Sequence, residues 1–183
     1  MLLWFGTWKN GSQHYMPEWM KLDSKRYFHT MNKEGEYVDS PSPFATASLE
    51  ADKKAFAALL KHLKDADSER TVIMVQVENE TARGEPPAIT LPKANKLFEG
   101  PVPPEIVRPW ARTSMAAGAN WDAAFGPEAE VYFHAWAIAK YVGQVAAAGK
   151  AAYPLPMYVN ASLHDPLTPE VPVKYESGGP TDK

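Results

Sequence analysis

The chain has 183 residues, 17 of them proline and none cysteine. That length suits one domain, or one and a fraction, with a sizeable core. A net charge of -3 without any Lys/Arg-rich block argues against a nucleic-acid surface, and zero cysteines exclude a disulfide framework, a thiolate zinc site and a cysteine nucleophile. With 45% hydrophobic and 22% charged residues the composition is that of a globular protein rather than a disordered one. No run of about 18 apolar residues exists, so no membrane span is expected. The opening Met1-Leu2-Leu3-Trp4-Phe5-Gly6 lacks a basic region and reaches Lys9 too soon for a signal peptide, which leaves the compartment open. Many prolines together with six Trp and eight Tyr are compatible with a loop-built site that stacks on sugars. Core filling is the ordinary role for any one of these rings.

In chain order, residues 2–8 predict a buried strand, and 9–41 a long polar and aromatic loop. Ser42-Pro43 reads as the N-cap and first position of a helix running to about Leu63. Leu49, Phe56, Leu59, Leu60 and Leu63 form its apolar face, with Asp52, Lys53, Lys61 and Lys64 mostly off it. Thr71 to Val77 predicts a strand apolar on both faces, as in a parallel sheet. Residues 81–126 read as irregular, with helical pieces near 93–99 and 104–111. A helix is expected from Pro127 to about Ala148, with Val131, Ala135, Ile138, Val142 and Val145 buried. Pro154 and Pro156 stop it, residues 157–163 predict a third strand, and 165–183 a loop-like tail. Strands separated by helices imply an α/β fold with a parallel sheet.

The second of these strands ends in Glu78-Asn79-Glu80. In parallel α/β folds, active sites gather beyond the carboxyl ends of the strands. An extended chain puts Glu78 and Glu80 on one side, about 6.5–7 Å apart at Cα, with Asn79 opposite unless the strand has already bent. A carboxyl with a raised pKa at such a place can act as a general acid. Acidic residues also simply mark where a strand exits into solvent. The histidines show no short ligand spacing, so no metal site is expected, nor any cofactor. His164-Asp165 has no nucleophile elbow to accompany it.

The run Gln76-Val77-Glu78-Asn79-Glu80 resembles the Gln-Val-Glu-Asn-Glu motif of glycoside hydrolase family 35 β-galactosidases, whose retaining (β/α)8-barrel clan also includes family 42. Leu3-Trp4-Phe5-Gly6-Thr7-Trp8-Lys9-Asn10-Gly11, His14-Tyr15-Met16-Pro17-Glu18-Trp19 and Tyr153-Pro154-Leu155-Pro156-Met157-Tyr158-Val159-Asn160 are similar to the same proteins. The resemblance implies a partial TIM barrel spanning residues 1–183, roughly strands three to five with their helices. It implies Glu80 as the general acid/base, which protonates the leaving oxygen and then activates water. Asn79 would hydrogen-bond the sugar 2-hydroxyl, and Glu78 would support it or bind sugar. Trp4, Trp8, His14, Tyr15 and Trp19 follow the barrel's third strand, where a cleft would lie, and Trp8 and Tyr15 are candidates for sugar stacking. Asn160 would face the cleft from the fifth. The partner implied is a β-galactoside. Relatives are often exported.

Two departures stand out. A retaining enzyme needs a second carboxylate about 5–5.5 Å from the first. The family carries it near strand seven, and Glu170 and Glu176 match no nucleophile motif. The sequence thus looks like the middle of a catalytic barrel, with negligible hydrolysis expected from the chain alone. An uncovered apolar face and open parallel edges predict poor solubility. After Glu80, relatives carry a Trp-Gly and Asp-Tyr-Ser loop, where this chain reads Thr81 to Pro92. Read one base off, Asp-Tyr-Ser becomes Ile-Thr-Leu, as stands at Ile89-Thr90-Leu91, which suggests a short out-of-frame stretch. The competing expectations are a non-catalytic sugar-binding module and a degenerate α/β remnant lacking the nucleophile. The oligomeric state is open.

Overall fold

The computed structural model describes residues 1–9, 15–31, 35–79, 81, 92–110 and 118–160. Three parallel strands form its main sheet: β1 (Leu2–Lys9), β4 (Val75–Asn79) and β5 (Met157–Tyr158), side by side in chain order. Two long helices connect them. α2 (Thr46–Ala66) lies between β1 and β4, and α6 (Ala129–Ala152) lies between β4 and β5. Between β1 and α2 come α1 (Glu18–Lys21) and an antiparallel pair, β2 (His29–Met31) with β3 (Tyr37–Pro41). Between β4 and α6 come α3 (Pro92–Glu99), α4 (Pro104–Trp110) and α5 (Trp121–Phe125), the last followed by a 3-10 turn. The α/β class and parallel main sheet agree with the sequence pattern.

The apolar periodicity explains the packing. Leu49, Phe56 and Leu60 of α2 and Ile138, Val142 and Val145 of α6 bury against Val75 and Val77 of β4. Leu2 and Trp4 of β1 join the same core, with the Trp4 ring 4.7 Å from that of Phe56. Phe56 is fully buried because it lies on Gly149 of α6, where a Cβ would overlap its ring. Burying a side chain of this size contributes about 2–3 kcal/mol. A second, aromatic core forms on the first half of α6, where Phe133 and Trp136 meet Trp121 of α5. α6 is therefore buried on two sides. Of the expected face only Ala135 is part-exposed.

Several expectations need correction. Residues 9–41 are not one loop: they hold α1, the β2–β3 pair and a small buried cluster of Met16, Met20 and Tyr27. Short polar strands carry too little alternation to show in sequence. Ser42 is not the cap of α2. Its hydroxyl accepts from the Phe44 N–H at 3.3 Å in a preceding turn, and the helix starts after Ala45, without a side-chain cap. Residues 71–74 lie outside β4, because the Asp67 carboxylate accepts from the Thr71 and Val72 N–H groups at 2.9 and 2.8 Å. Those bonds hold Asp67's pKa below its ordinary value. α5 lies in a stretch read as irregular, its start capped by the Asn120 side chain. Trp4 belongs to the core rather than to a cleft, and Asp52, placed off the apolar face, is buried. Among the described residues the third strand covers Met157–Tyr158, and the rest of its expected range from residue 161, with the expected tail 165–183, lies outside them.

Candidate functional site

The carboxyl end of β4, the central strand, gathers the polar groups. All five of its residues are buried. Val75 and Val77 point into the core against the helices, which leaves the polar residues to the other environment. Gln76 donates from its amide nitrogen to the Glu78 carbonyl at 2.8 Å and to Asn79 Oδ1 at 3.1 Å. Asn160, just past β5, donates to the same Asn79 oxygen at 2.9 Å. Two donors on one oxygen settle the orientation of the Asn79 amide. Its nitrogen is then the donor end of the amide.

Strict alternation fails here. Gln76 and Asn79, three residues apart, touch each other, which a flat strand forbids. The cause is Glu78, whose φ of +60° lies in the left-handed region. This conformation is rare for residues other than glycine, and it clusters at functional sites. The Glu78 carboxylate is buried against Gly6 of β1, itself at φ +49°, where a Cβ would overlap both carboxylate oxygens. Only glycine accommodates both the backbone angle and the close approach. The expectation that Glu78 lies in an extended strand facing the same way as Glu80 is thus corrected at Glu78. Glu80, the expected acid/base, lies outside the described residues.

The bend reaches into β1. The two strands run in step from Leu2↔Val75 to Trp4↔Val77, and the next pair is Lys9↔Asn79. β1 thus advances five residues while β4 advances two, which makes a bulge around Gly6 and Thr7. Beneath the bulge, on the helix side, Asp52 of α2 accepts a hydrogen bond from the Thr7 hydroxyl at 2.7 Å. It also accepts from the Tyr141 hydroxyl of α6, and from the Thr7 backbone. Asp52 is only 3% exposed. Burial raises its pKa to about 6, against the lowering effect of these hydrogen bonds. A buried acid on an otherwise apolar helix face is a signal the periodicity count does not weigh.

The aromatic candidates scatter. Tyr15 is exposed, and Trp19 is exposed with its ring edge-on to Tyr27 at 5.2 Å. Trp8 lies on β1, its side chain outside the described residues, and His14 is outside them as well. The structure therefore brings together Glu78, Asn79 and Asn160, adds Gln76 and Gly6, and does not bring Tyr15 or Trp19 to them. Gln76 and Gly6 were legible only as a polar residue and a glycine inside apolar runs. A cavity of about 470 Å³ opens on the helix side of β5, lined by Val77, Ile138, Val142, Met157, Tyr158 and Asn160. Asn160 thus borders both the cavity and the amide cluster. Among the described residues no group of three or more His, Asp or Glu side chains is arranged to hold a metal ion, and no helix is long and apolar enough to cross a membrane.

Chemically, this is a hydrogen-bonded amide cluster at the carboxyl end of a parallel strand, with a buried carboxylate beside it. Such a cluster can orient a polyhydroxylated ligand through amide hydrogen bonds. Compared with models of known protein families, the chain matches none, and no curated protein sequence matches it either.

Proposed function

We propose that the chain carries the acid/base half of a retaining glycoside hydrolase site of the β-galactosidase type, built on part of a (β/α)8 barrel. The observation that supports this reading is the Asn79 amide, aimed by Gln76 and Asn160 at the carboxyl end of the central parallel strand. Three parallel strands ordered as in the chain, with helical crossovers, are the arrangement a barrel segment has.

In this reading Asn79 donates to the sugar 2-hydroxyl, and the contact tightens as charge develops at the anomeric carbon. Glu80, next in sequence, gives its proton to the leaving glycosidic oxygen as a second carboxylate attacks from the opposite face. The resulting ester is then hydrolysed by water that Glu80 deprotonates. Glu78, seated on Gly6, supports the turn that presents Asn79. The second carboxylate has no matching motif in this sequence.

The test supplies that nucleophile from solution. With azide and an aryl β-galactoside, Glu80 donates its proton to the departing phenol oxygen as azide bonds to the anomeric carbon from the far side. The expected product is α-galactosyl azide, absent with Glu80→Gln and strongly reduced with Asn79→Ala. No Glu80-dependent azide product overturns the proposal. Calorimetric binding of galactose without that product favours the plain sugar-binding module.

A further inference from the structure

Asp52 plays no part in the chemistry above, yet it is the most unusual side chain in the helical layer. An apolar residue there would join α2 to the sheet without burying a charge. Instead the carboxylate gathers donors from two other elements: the Thr7 hydroxyl and backbone from β1, and the Tyr141 hydroxyl from α6. Thr7 follows Gly6, and Gly6 is the residue on which the Glu78 carboxylate sits. Gly6 and Glu78 both have positive φ, opposite each other across the β1–β4 pair, where the register slips. Two bends of this kind persist only when their surroundings over-determine them. Asp52 grips one of them directly.

We propose that Asp52, with Tyr141, is a positioning residue: it holds the Gly6–Thr7 bulge from the helical layer and thereby sets the seat of Glu78 and the direction of Asn79. Its importance for turnover rests on the glycosidase reading, whereas its effect on the strand ends does not.

The experiment follows the side-chain amide signals of Asn79 and Asn160 by NMR across pH 5–7. The groups facing Asp52 are hydroxyls, Thr7 from β1 and Tyr141 from α6, with Ser48 buried one turn back on its own helix. No ionised neighbour contributes to its shifted pKa. The expected result is a titration of both amides with a midpoint near pH 6, lost in Asp52→Asn. In Tyr141→Phe the midpoint moves upward, because a hydrogen bond favouring the charged form is gone. A purely structural Asp52 changes the melting temperature and leaves the amide signals flat in this range. Amides that do not titrate in the wild type, or titrate identically in Asp52→Asn, overturn the proposal. Should Asp52→Asn fail to fold, an unmoved midpoint in Tyr141→Phe does the same. If the amides follow Asp52 but no β-galactoside binds, the glycosidase reading falls and the positioning role stands.

Discussion

Two titratable groups, one buried and one half-buried, make opposite demands on stability between pH 4 and 6.5. Asp52 holds its proton more tightly in the folded chain, at about 6 against an ordinary 3.8. Its contribution to stability is full below 3.8 and is lost as pH rises through 6. A shift of that size corresponds to about 3 kcal/mol. His134 does the reverse. With Nδ1 buried, burial lowers its pKa from 6.5 to about 4. Its contribution is full above 6.5 and is lost as pH falls towards 4, again about 3 kcal/mol. The two nearly cancel, so the wild type should vary little over this range on their account. Asp52→Asn removes one side of the balance and should make the protein about 2 kcal/mol less stable at pH 4.5 than at pH 6.5, the part of the His134 shift that falls between those values. His134→Gln should tilt the profile the other way by a similar amount. Asp67 also has a lowered pKa, and because its ordinary value is 3.8 its effect falls mainly below this window. Urea unfolding followed by tryptophan fluorescence, at half-unit steps from pH 4.5 to 7, measures the slopes. The double variant should be flat. Parallel profiles for the wild type and Asp52→Asn would refute the reasoning, because they would mean that Asp52 titrates alike folded and unfolded.

Gly6→Ala meets both a left-handed backbone and the Glu78 carboxylate, so it should cost about 2 kcal/mol or more in thermal unfolding. Pairing it with Glu78→Ala should recover the steric part, and no recovery would argue against the seat. Phe56→Ala empties the centre of the main core and should cost about 3–5 kcal/mol. Gly149→Ala, which pushes a methyl into that ring, should cost about 1–3 kcal/mol, and a silent Gly149→Ala would deny the close packing. Asn160→Ala removes one of two donors on Asn79 and should cost about 1 kcal/mol, with a larger loss in galactoside binding. Sequencing the coding region across codons 81–91 should show a single-base shift restoring the Trp-Gly and Asp-Tyr-Ser loop. A well-supported reading of the present frame ends that explanation.

The elements that sequence reveals are those with a continuous apolar stripe. Phe56 and Leu60 on α2, and Ile138, Val142 and Val145 on α6, recur at helical spacing because they share one core. The β2–β3 pair escapes because its strands are short, three and five residues, and carry little apolar alternation. Asp52 escapes for a different reason. Its neighbours Lys53 and Lys54 suggest a solvated face, and only the hydroxyls of Thr7 and Tyr141, 45 and 89 residues away, make its burial intelligible.

Glu78 shows the limit most sharply. Period-two reasoning assigns it a face from its place in the strand, and that assignment holds only while φ stays extended. Nothing in the local sequence Gln76-Val77-Glu78-Asn79 announces a left-handed glutamate. The information lies 72 positions earlier, in a glycine whose missing side chain makes room for the carboxylate. Gly6 alone in an apolar strand signals a bulge, but not what the bulge accommodates. The two residues specify each other: without the bend at Glu78, Asn79 points away from Gln76 and Asn160, and without Gly6 the bend has no room. The geometry that aims Asn79 is therefore a property of the β1–β4 pair, held from behind by Asp52.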